Sequence, residues 1–194
     1  MYPKSNTMKK DYVSEKIIGD HKVRTFIDND PESPRDWCNL GTMICFHGRY
    51  KLGDKHSYDS NDYSGWEEMK ENIIENENVH TILPLYLYDH SGITMNTTGF
   101  SCNWDSGQVG WIFVSKEVVM KEGIDETKVE EYLKNEVKTY DQYLRGEVYG
   151  YEIVKVTTCD LGHEHEEVVD SSYGYYGEDD CMENGVDYLV SCVV

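Results

Sequence analysis

The pattern of hydrophobic and polar positions predicts several short antiparallel strands. Residues 22–28 (KVRTFID) and 42–46 (TMICF) are rich in β-branched and aromatic side chains, which favour strands. Further strands are predicted at TILPLYLYDH, ITMNT, QVGWIFVS, GEVYGYEIVKVTT and EEVVDSSYGYYG, with a hairpin turn at residues 89–92. Residues 48–65 form a long polar connection, and loops of that length are often functional.

Two segments show the periodicity of amphipathic helices. The first spans residues 66–76, and the second runs from about Glu126 to Leu144, with Asp125 as its predicted cap and Gly146 as its end. Their apolar positions are Trp66, Met69, Ile73 and Ile74 in the first, and Val129, Tyr132, Leu133, Val137, Tyr140 and Leu144 in the second. The sequence therefore predicts an α+β fold, with a central antiparallel sheet and two amphipathic helices packed on it.

Length and composition predict one domain that spans residues 1–194. The chain is 39% hydrophobic, which is enough for one sizeable core. No apolar run follows MYPKSNTMKKDY, and no 18 apolar residues occur in succession, so we expect no secretory leader, no membrane association and a cytoplasmic location. Six cysteines without a CxxC pair indicate reduced thiols.

Acidity dominates the composition. Asp and Glu number 37 against 18 Lys and Arg, which gives a net charge of −19, and residues 156–194 hold ten acids and no base. Such a chain repels nucleic acid and favours a partner with a positively charged surface. The candidate partner-binding residues are Glu164, Glu166, Glu167, Asp170, Glu178, Asp179, Asp180 and Glu183, with Glu67, Glu68, Glu71 and Glu75 as a second acidic face.

Two clusters of histidines raise the question of catalysis or metal binding. Cys159, His163 and His165 stand close together but lack the four ligands of a structural zinc site, so we expect no metal and no cofactor. A second group lies in or beside predicted turns, where catalytic residues are common, and His with carboxylate is a frequent acid/base pair. Its members are His47, Arg49, His56, Asp89, His90 and Asp105. The alternative is that these side chains only satisfy turns and loop carbonyls.

Familiar catalytic and nucleotide-binding motifs are missing from the sequence. NWDSGQVGW lacks the GxSxG pattern of a nucleophile elbow, and the chain has neither a GxxxxGK[ST] loop nor a GxGxxG turn. Catalysis therefore has no motif to support it, and the chain is more easily interpreted as a binding protein than as an enzyme.

Several long motifs carry a resemblance to other proteins. Four motifs carry it: PRDWCNLGTM, HGRYKLGD, PLYLYDHSG and FSCNWDSGQVGW. From about Asp28 to Gly185, the chain resembles an uncharacterised family of small phage and mobile-element proteins. The resemblance implies a phage or plasmid context and a location in the host bacterial cell. It implies no particular activity.

Charge and that context together give a leading hypothesis. We expect an anti-defence protein of the anti-CRISPR or anti-restriction type, which mimics DNA by placing carboxylates in the basic groove of a host nuclease or CRISPR effector complex. One alternative is a phage-encoded metal-assisted hydrolase that acts on nucleic acid or a nucleotide signal through His47, Asp89, His90 and Asp105. Another is an adaptor that binds a different host protein. Convergence of those four side chains in one pocket would favour the enzyme.

Overall fold

The computed structural model describes residues 11–193, and these divide into two compact units. One unit comprises residues 32–145, and the other combines residues 11–31 with residues 146–193. We call them the continuous unit and the split unit. The single-domain interpretation stays a prediction, because two compact units can still unfold as one.

Eight strands and four α-helices form the described part of the chain, together with three short 3₁₀ helices. The strands are β1 (Ser14–Ile18), β2 (His21–Ile27), β3 (Thr42–Cys45), β4 (Val79–Asp89), β5 (Ile93–Asn96), β6 (Ser106–Ser115), β7 (Val148–Thr158) and β8 (Glu164–Tyr176). The helices are α1 (Trp66–Asn76), α2 (Lys116–Glu122), α3 (Val129–Leu144) and α4 (Glu178–Val193). The α+β class is confirmed.

The continuous unit is a sheet with a helix on each face. Its antiparallel strand order is β3-β6-β4-β5. One face packs against α3 through residues such as Leu133, and the other packs against α1 through Met69 and Ile73. Cover on both faces explains why residues 109–114 of β6 are all buried instead of alternating.

The split unit is a second antiparallel sheet with one helix. The strand order is β1-β2-β7-β8, so β8 lies at an edge beside β7. Helix α4 packs on the face that contains Val23 and Tyr151. A Cβ at Gly185 would lie 2.7 Å from Val23 Cγ1, so the missing side chain permits the close approach of helix and sheet.

Most predicted elements are confirmed, including the 89–92 turn. Asp125 accepts a hydrogen bond from the backbone N–H of Thr127, but it caps a short 3₁₀ helix (Glu126–Lys128), and α3 begins after it at Val129. Two positions of the predicted apolar stripes are wrong. Tyr132 is 47% exposed and Ile74 is also exposed, because each lies at the margin of its helix's apolar face. The sequence interpretation did not identify β1, α2 or α4. No helix within residues 11–193 combines the length and apolar character needed to cross a membrane.

Candidate functional site

Glu166, one of the candidate partner-binding acids, has two basic partners inside the split unit. Its carboxylate accepts hydrogen bonds from Arg24 Nη1 at 2.7 Å and Nη2 at 2.8 Å, and from Lys22 Nζ at 2.7 Å. Arg24 also donates to Glu15 at 2.6 Å. Strand β7 lies between β2 and β8, so these long side chains meet across it. The bonds from Arg24 and Lys22 lower the pKa of Glu166 to about 2.

The depressed pKa of Glu166 predicts a pH dependence of stability. The folded-state pKa is about 2 against an ordinary value of 4.5, so the contribution is fully present above about pH 4.5 and is lost as pH falls toward 2. Because 38% of the Glu166 side chain is exposed, we expect less than about 1 kcal/mol. Thermal melts of the wild type and Glu166→Gln should differ most at neutral pH and converge at acid pH. A gap between the melting curves that stays constant from pH 7 to pH 2 would contradict this assignment.

Asp170 and Glu178 also have internal partners. The Tyr188 hydroxyl and the backbone N–H of Ser171 donate to Asp170 and lower its pKa below the ordinary value. Glu178 accepts hydrogen bonds from the hydroxyls of Ser14 and Thr25. The bonds of Glu178 join α4 to β1 and β2, and the bond from Tyr188 to Asp170 joins α4 to β8. Both carboxylates therefore support the local structure.

The remaining candidate acids of the split unit are solvent-exposed. Glu164 and Glu167 lie on β8, and Asp179, Asp180 and Glu183 lie on α4. Asp179 and Asp180 occupy the first turn of α4, where negative charge is favoured by the helix dipole. The acids of the C-terminal segment therefore fall into two groups, one with internal hydrogen bonds and one that faces solvent.

The four candidate glutamates of α1 are exposed, but they are not equivalent. Glu68 accepts hydrogen bonds from the Ser64 hydroxyl at 2.5 Å and the Ser64 N–H at 2.6 Å, which lower its pKa and fix the start of the helix. Glu67 pairs with Lys70 at 3.1 Å. Glu71 and Glu75 have no ion-pair partner within residues 11–193.

The four side chains of the alternative catalytic group do come together, at one end of the continuous unit's sheet. His47, Asp89 and Asp105 line a cleft of about 370 Å³, and His90 Nδ1 lies 3.3 Å from Asp105 Oδ2 at its rim. Their meeting follows from the topology, because the ends of β3 and β4 lie beside the start of β6 in an antiparallel sheet. A backbone hydrogen bond of 2.8 Å from Asp89 N–H to the Asp105 carbonyl holds two of the segments together.

Hydrogen bonding limits what His47 can do in this cleft. Its Nδ1 accepts from the backbone N–H groups of Arg49 and Tyr50, both at 3.3 Å, so the proton is on Nε2, which lies 3.9 Å from Asp89 Oδ2. Asp89 is also ion-paired with Arg49. With Nδ1 occupied and Nε2 protonated, His47 is poorly placed to act as a general base.

The His90–Asp105 pair has a different geometry. Asp105 contacts His90 through Nδ1, and the imidazole is largely exposed. That arrangement orients the ring and leaves Nε2 on the solvent side, as in carboxylate–histidine dyads. Trp104 is 96% exposed and also lines the cleft, and the Cys102 thiol donates to Asp105 at 3.8 Å.

The sequence also raised the question of whether Cys159, His163 and His165 bind a metal. Cys159 and His163 lie in the loop between β7 and β8, where the Cys159 N–H donates to the His163 carbonyl at 2.9 Å. Within residues 11–193, no group of three or more His, Cys, Asp or Glu side chains has the geometry to hold a metal ion. His56 lies outside the catalytic group and donates from Nε2 to the Cys45 carbonyl at 3.2 Å.

The sequence did not predict an extended polar network in the continuous unit, which is centred on Arg35. Arg35 donates to Asp54 at 2.6 and 2.9 Å, to Glu136 at 3.0 Å and to the Gly41 carbonyl at 2.7 Å. The same carboxylates accept from the backbone N–H groups of residues 40, 41 and 43. The only sequence signal was an Arg inside a long recognised motif, and its partly buried partners lie 19 and 101 residues away.

Comparisons with known proteins give no relative for the chain. No protein-family model matches it, and neither a comparison with curated proteins nor one with solved structures finds a match. The resemblance to small phage and mobile-element proteins therefore stays a prediction. Any functional conclusion depends on the geometry described above.

Proposed function

We propose that the chain is an acidic anti-defence inhibitor of phage type, which binds a host nuclease or CRISPR effector complex and occupies its nucleic-acid groove. It acts as a DNA mimic and requires no chemistry of its own. A groove that holds backbone phosphates is lined by Lys and Arg, and a protein of net charge −19 is attracted to such a surface.

The row of glutamates along α1 is the observation that carries the proposal. Glu67, Glu71 and Glu75 are spaced four residues apart on the exposed side, with a rise of about 6 Å between successive charges. Like charges at this spacing destabilise a helix by about 0.2–0.5 kcal/mol per pair. Glu75 also lies in the last turn, which contains no basic residue and where the helix dipole disfavours an anion. The first-turn position and the Lys70 ion pair account for Glu67, but helix stability does not explain Glu71 and Glu75, whereas recognition of a basic surface does.

Helix α4 presents a second row of the same kind. Asp179, Glu183 and Asp187 follow one another at four-residue spacing and are exposed. Within residues 11–193 none of these three carboxylates is in an ion pair, in contrast to Glu166. The candidate acids without an internal partner in the described structure are Glu71 and Glu75 on α1, Asp179, Asp180, Glu183 and Asp187 on α4, and Glu164 and Glu167 on β8.

A nuclease-inhibition assay tests this proposal. The chain is titrated into purified CRISPR effector complexes and restriction endonucleases, each with labelled target DNA, and cleavage is measured. We expect at least one enzyme to be inhibited, with potency that falls as salt rises, because exposed charge pairs are screened. A complete lack of inhibition across the panel would count against DNA mimicry.

Matched charge variants identify the surface. One triple variant carries Glu67→Gln, Glu71→Gln and Glu75→Gln, and a second carries Asp179→Asn, Glu183→Gln and Asp187→Asn. The control carries Glu117→Gln, Glu122→Gln and Glu131→Gln, which removes the same number of exposed charges from α2 and α3. Inhibition should weaken in one or both test variants and persist in the control. Equal weakening in all three would show that net charge alone matters and that neither row is a binding site.

The His90–Asp105 pair supports a second candidate function, a hydrolase in which His90 is the general base. The supporting observation is the convergence of His47, Asp89, His90 and Asp105 at one cleft. His90→Gln and Asp105→Asn should then abolish hydrolysis of nucleotide or nucleic-acid substrates by about 10²–10⁴-fold without loss of fold. If the same variants inhibit nucleases as well as the wild type does and no substrate is turned over, this candidate is eliminated.

A further inference from the structure

The long loop before α1 forms a cationic cleft in an otherwise acidic protein. The cleft has a volume of about 820 Å³, within the range of small-molecule sites, and belongs entirely to the continuous unit. Lys51 and Lys55 line it, and neither is in an ion pair within residues 11–193. Within residues 11–193, Lys116 and Lys138 also lack an ion pair, so the distinctive feature of Lys51 and Lys55 is that both line one cleft.

The one carboxylate of this cleft does not cancel that charge. Asp54 receives two hydrogen bonds from Arg35, and its Oδ2 also accepts from the backbone N–H of Met43 at 2.7 Å. Arg35 also pairs with Glu136, so the three cations Arg35, Lys51 and Lys55 stand against two carboxylates and leave a net charge of +1. The local charge that an incoming ligand meets is positive.

The walls of the cleft supply apolar contact. Phe46, Tyr50 and Leu52 line it, and the Tyr50 ring is held by stacking on His47 at a centroid distance of 5.0 Å. Because a carbonyl oxygen accepts only, His56 Nε2 is the donor to Cys45, and Nδ1 carries a lone pair. That Nδ1 is buried without a hydrogen-bond partner in the described structure. A buried unsatisfied acceptor is costly, and because this atom is excluded from solvent it is not offered to a ligand in the cleft.

We propose that this cleft binds a phosphorylated small molecule of nucleotide size. Its phosphate is held by Lys51 and Lys55, and its apolar surface packs against Phe46, Tyr50 and Leu52. The anion is recognised by side chains, so no glycine-rich phosphate loop is required. This site is separate from the carboxylate rows of α1 and α4, and its occupation does not depend on the proposed inhibition.

Ligand titrations followed by NMR test the site with three probes. We use adenosine monophosphate, adenosine and inorganic phosphate, and record backbone amide shifts. Adenosine monophosphate should give saturable shifts confined to residues 45–60. Adenosine and phosphate should each bind at least about tenfold more weakly, because each lacks one set of contacts. Equal affinity for phosphate alone, or no saturable shift with adenosine monophosphate, would overturn the proposal.

Charge-removal variants supply the control. Lys51→Met combined with Lys55→Met should weaken binding of adenosine monophosphate by about tenfold or more, since charge-assisted hydrogen bonds to the phosphate are lost. Lys116→Met combined with Lys138→Met removes the same charge from exposed positions on α2 and α3 of the same unit. That control should bind like the wild type. All four lysines are exposed, so the fold should survive in both variants, and equal weakening in both would refute a specific phosphate site.

Discussion

Replacement of Arg35 by methionine should lower the free energy of unfolding of the continuous unit by about 3–5 kcal/mol. The Arg35 side chain is only 5% exposed, and it holds two carboxylates, Asp54 and Glu136. Hydrogen bonds and the charges of these carboxylates raise the pKa of Arg35 despite its burial. Removal of the guanidinium leaves two partly buried negative charges close together without compensation, which is more costly than the pair itself is stabilising.

Tryptophan fluorescence during denaturant unfolding measures this loss. All four tryptophans lie between residues 32 and 145, so their emission reports the unit that contains Arg35. Arg49→Met is the matched control, because it removes the same group from an ion pair with Asp89 in which the Arg49 side chain is 69% exposed. The control should cost less than about 1 kcal/mol. Similar midpoints for the two variants would show that the Arg35 network is not a major source of stability.

The elements that could be predicted from sequence are those whose packing is encoded locally. Helix α1 has the predicted bounds of residues 66–76, and the strands from β2 to β8 were found from β-branched and aromatic runs. Helix α4 could not be predicted from sequence, for a physical reason. Its buried positions, Cys181, Gly185 and Leu189, form a narrow stripe that includes a poor helix former, and its C-terminal half is rich in β-branched residues.

The acidity of a segment could be counted from sequence, but its pairing could not. Glu166 lies in a stretch without bases, and yet its partners Lys22 and Arg24 arrive from a strand more than 140 residues earlier. Only the strand order β2-β7-β8 brings them together. The net charge of a sequence segment therefore does not show which of its charged side chains are paired once the strands form a sheet.

The meeting of His47, Asp89 and Asp105 at one cleft also depends on strand order. Asp89 ends β4, Asp105 precedes β6 and His47 follows β3, so each is found at a strand boundary that the sequence indicates. That all three boundaries share one end of the sheet requires β6 to lie between β3 and β4, an order with no local signal. The cationic cleft could not be predicted from sequence either, because its lining residues come together only when the loop between β3 and α1 folds.

Gly110→Ala should destabilise the continuous unit by more than about 4 kcal/mol. Gly110 lies in the middle of β6, opposite Cys45 of β3 and Leu85 of β4. A Cβ at this position would lie 1.9 Å from the carbonyl oxygen of Ile44 and 3.0 Å from the Cα of Cys45, both backbone atoms. Side chains can turn away from a new methyl group, but here strand β3 itself would have to move. The register between β3 and β6 would be lost, and losses of this size arise only from such specific mechanisms.

Gly107→Ala on the same strand is the control for Gly110→Ala. A Cβ at Gly107 meets no atom within 4 Å, and the residue is exposed. Alanine there restricts the unfolded chain without a clash, so we expect no loss of stability and a gain of up to about 1 kcal/mol. Denaturant midpoints from tryptophan fluorescence compare the two variants directly, and soluble yield at low temperature shows whether Gly110→Ala folds at all. A Gly110→Ala protein with the midpoint of the Gly107→Ala protein would mean that β3 does not pack against β6 as described.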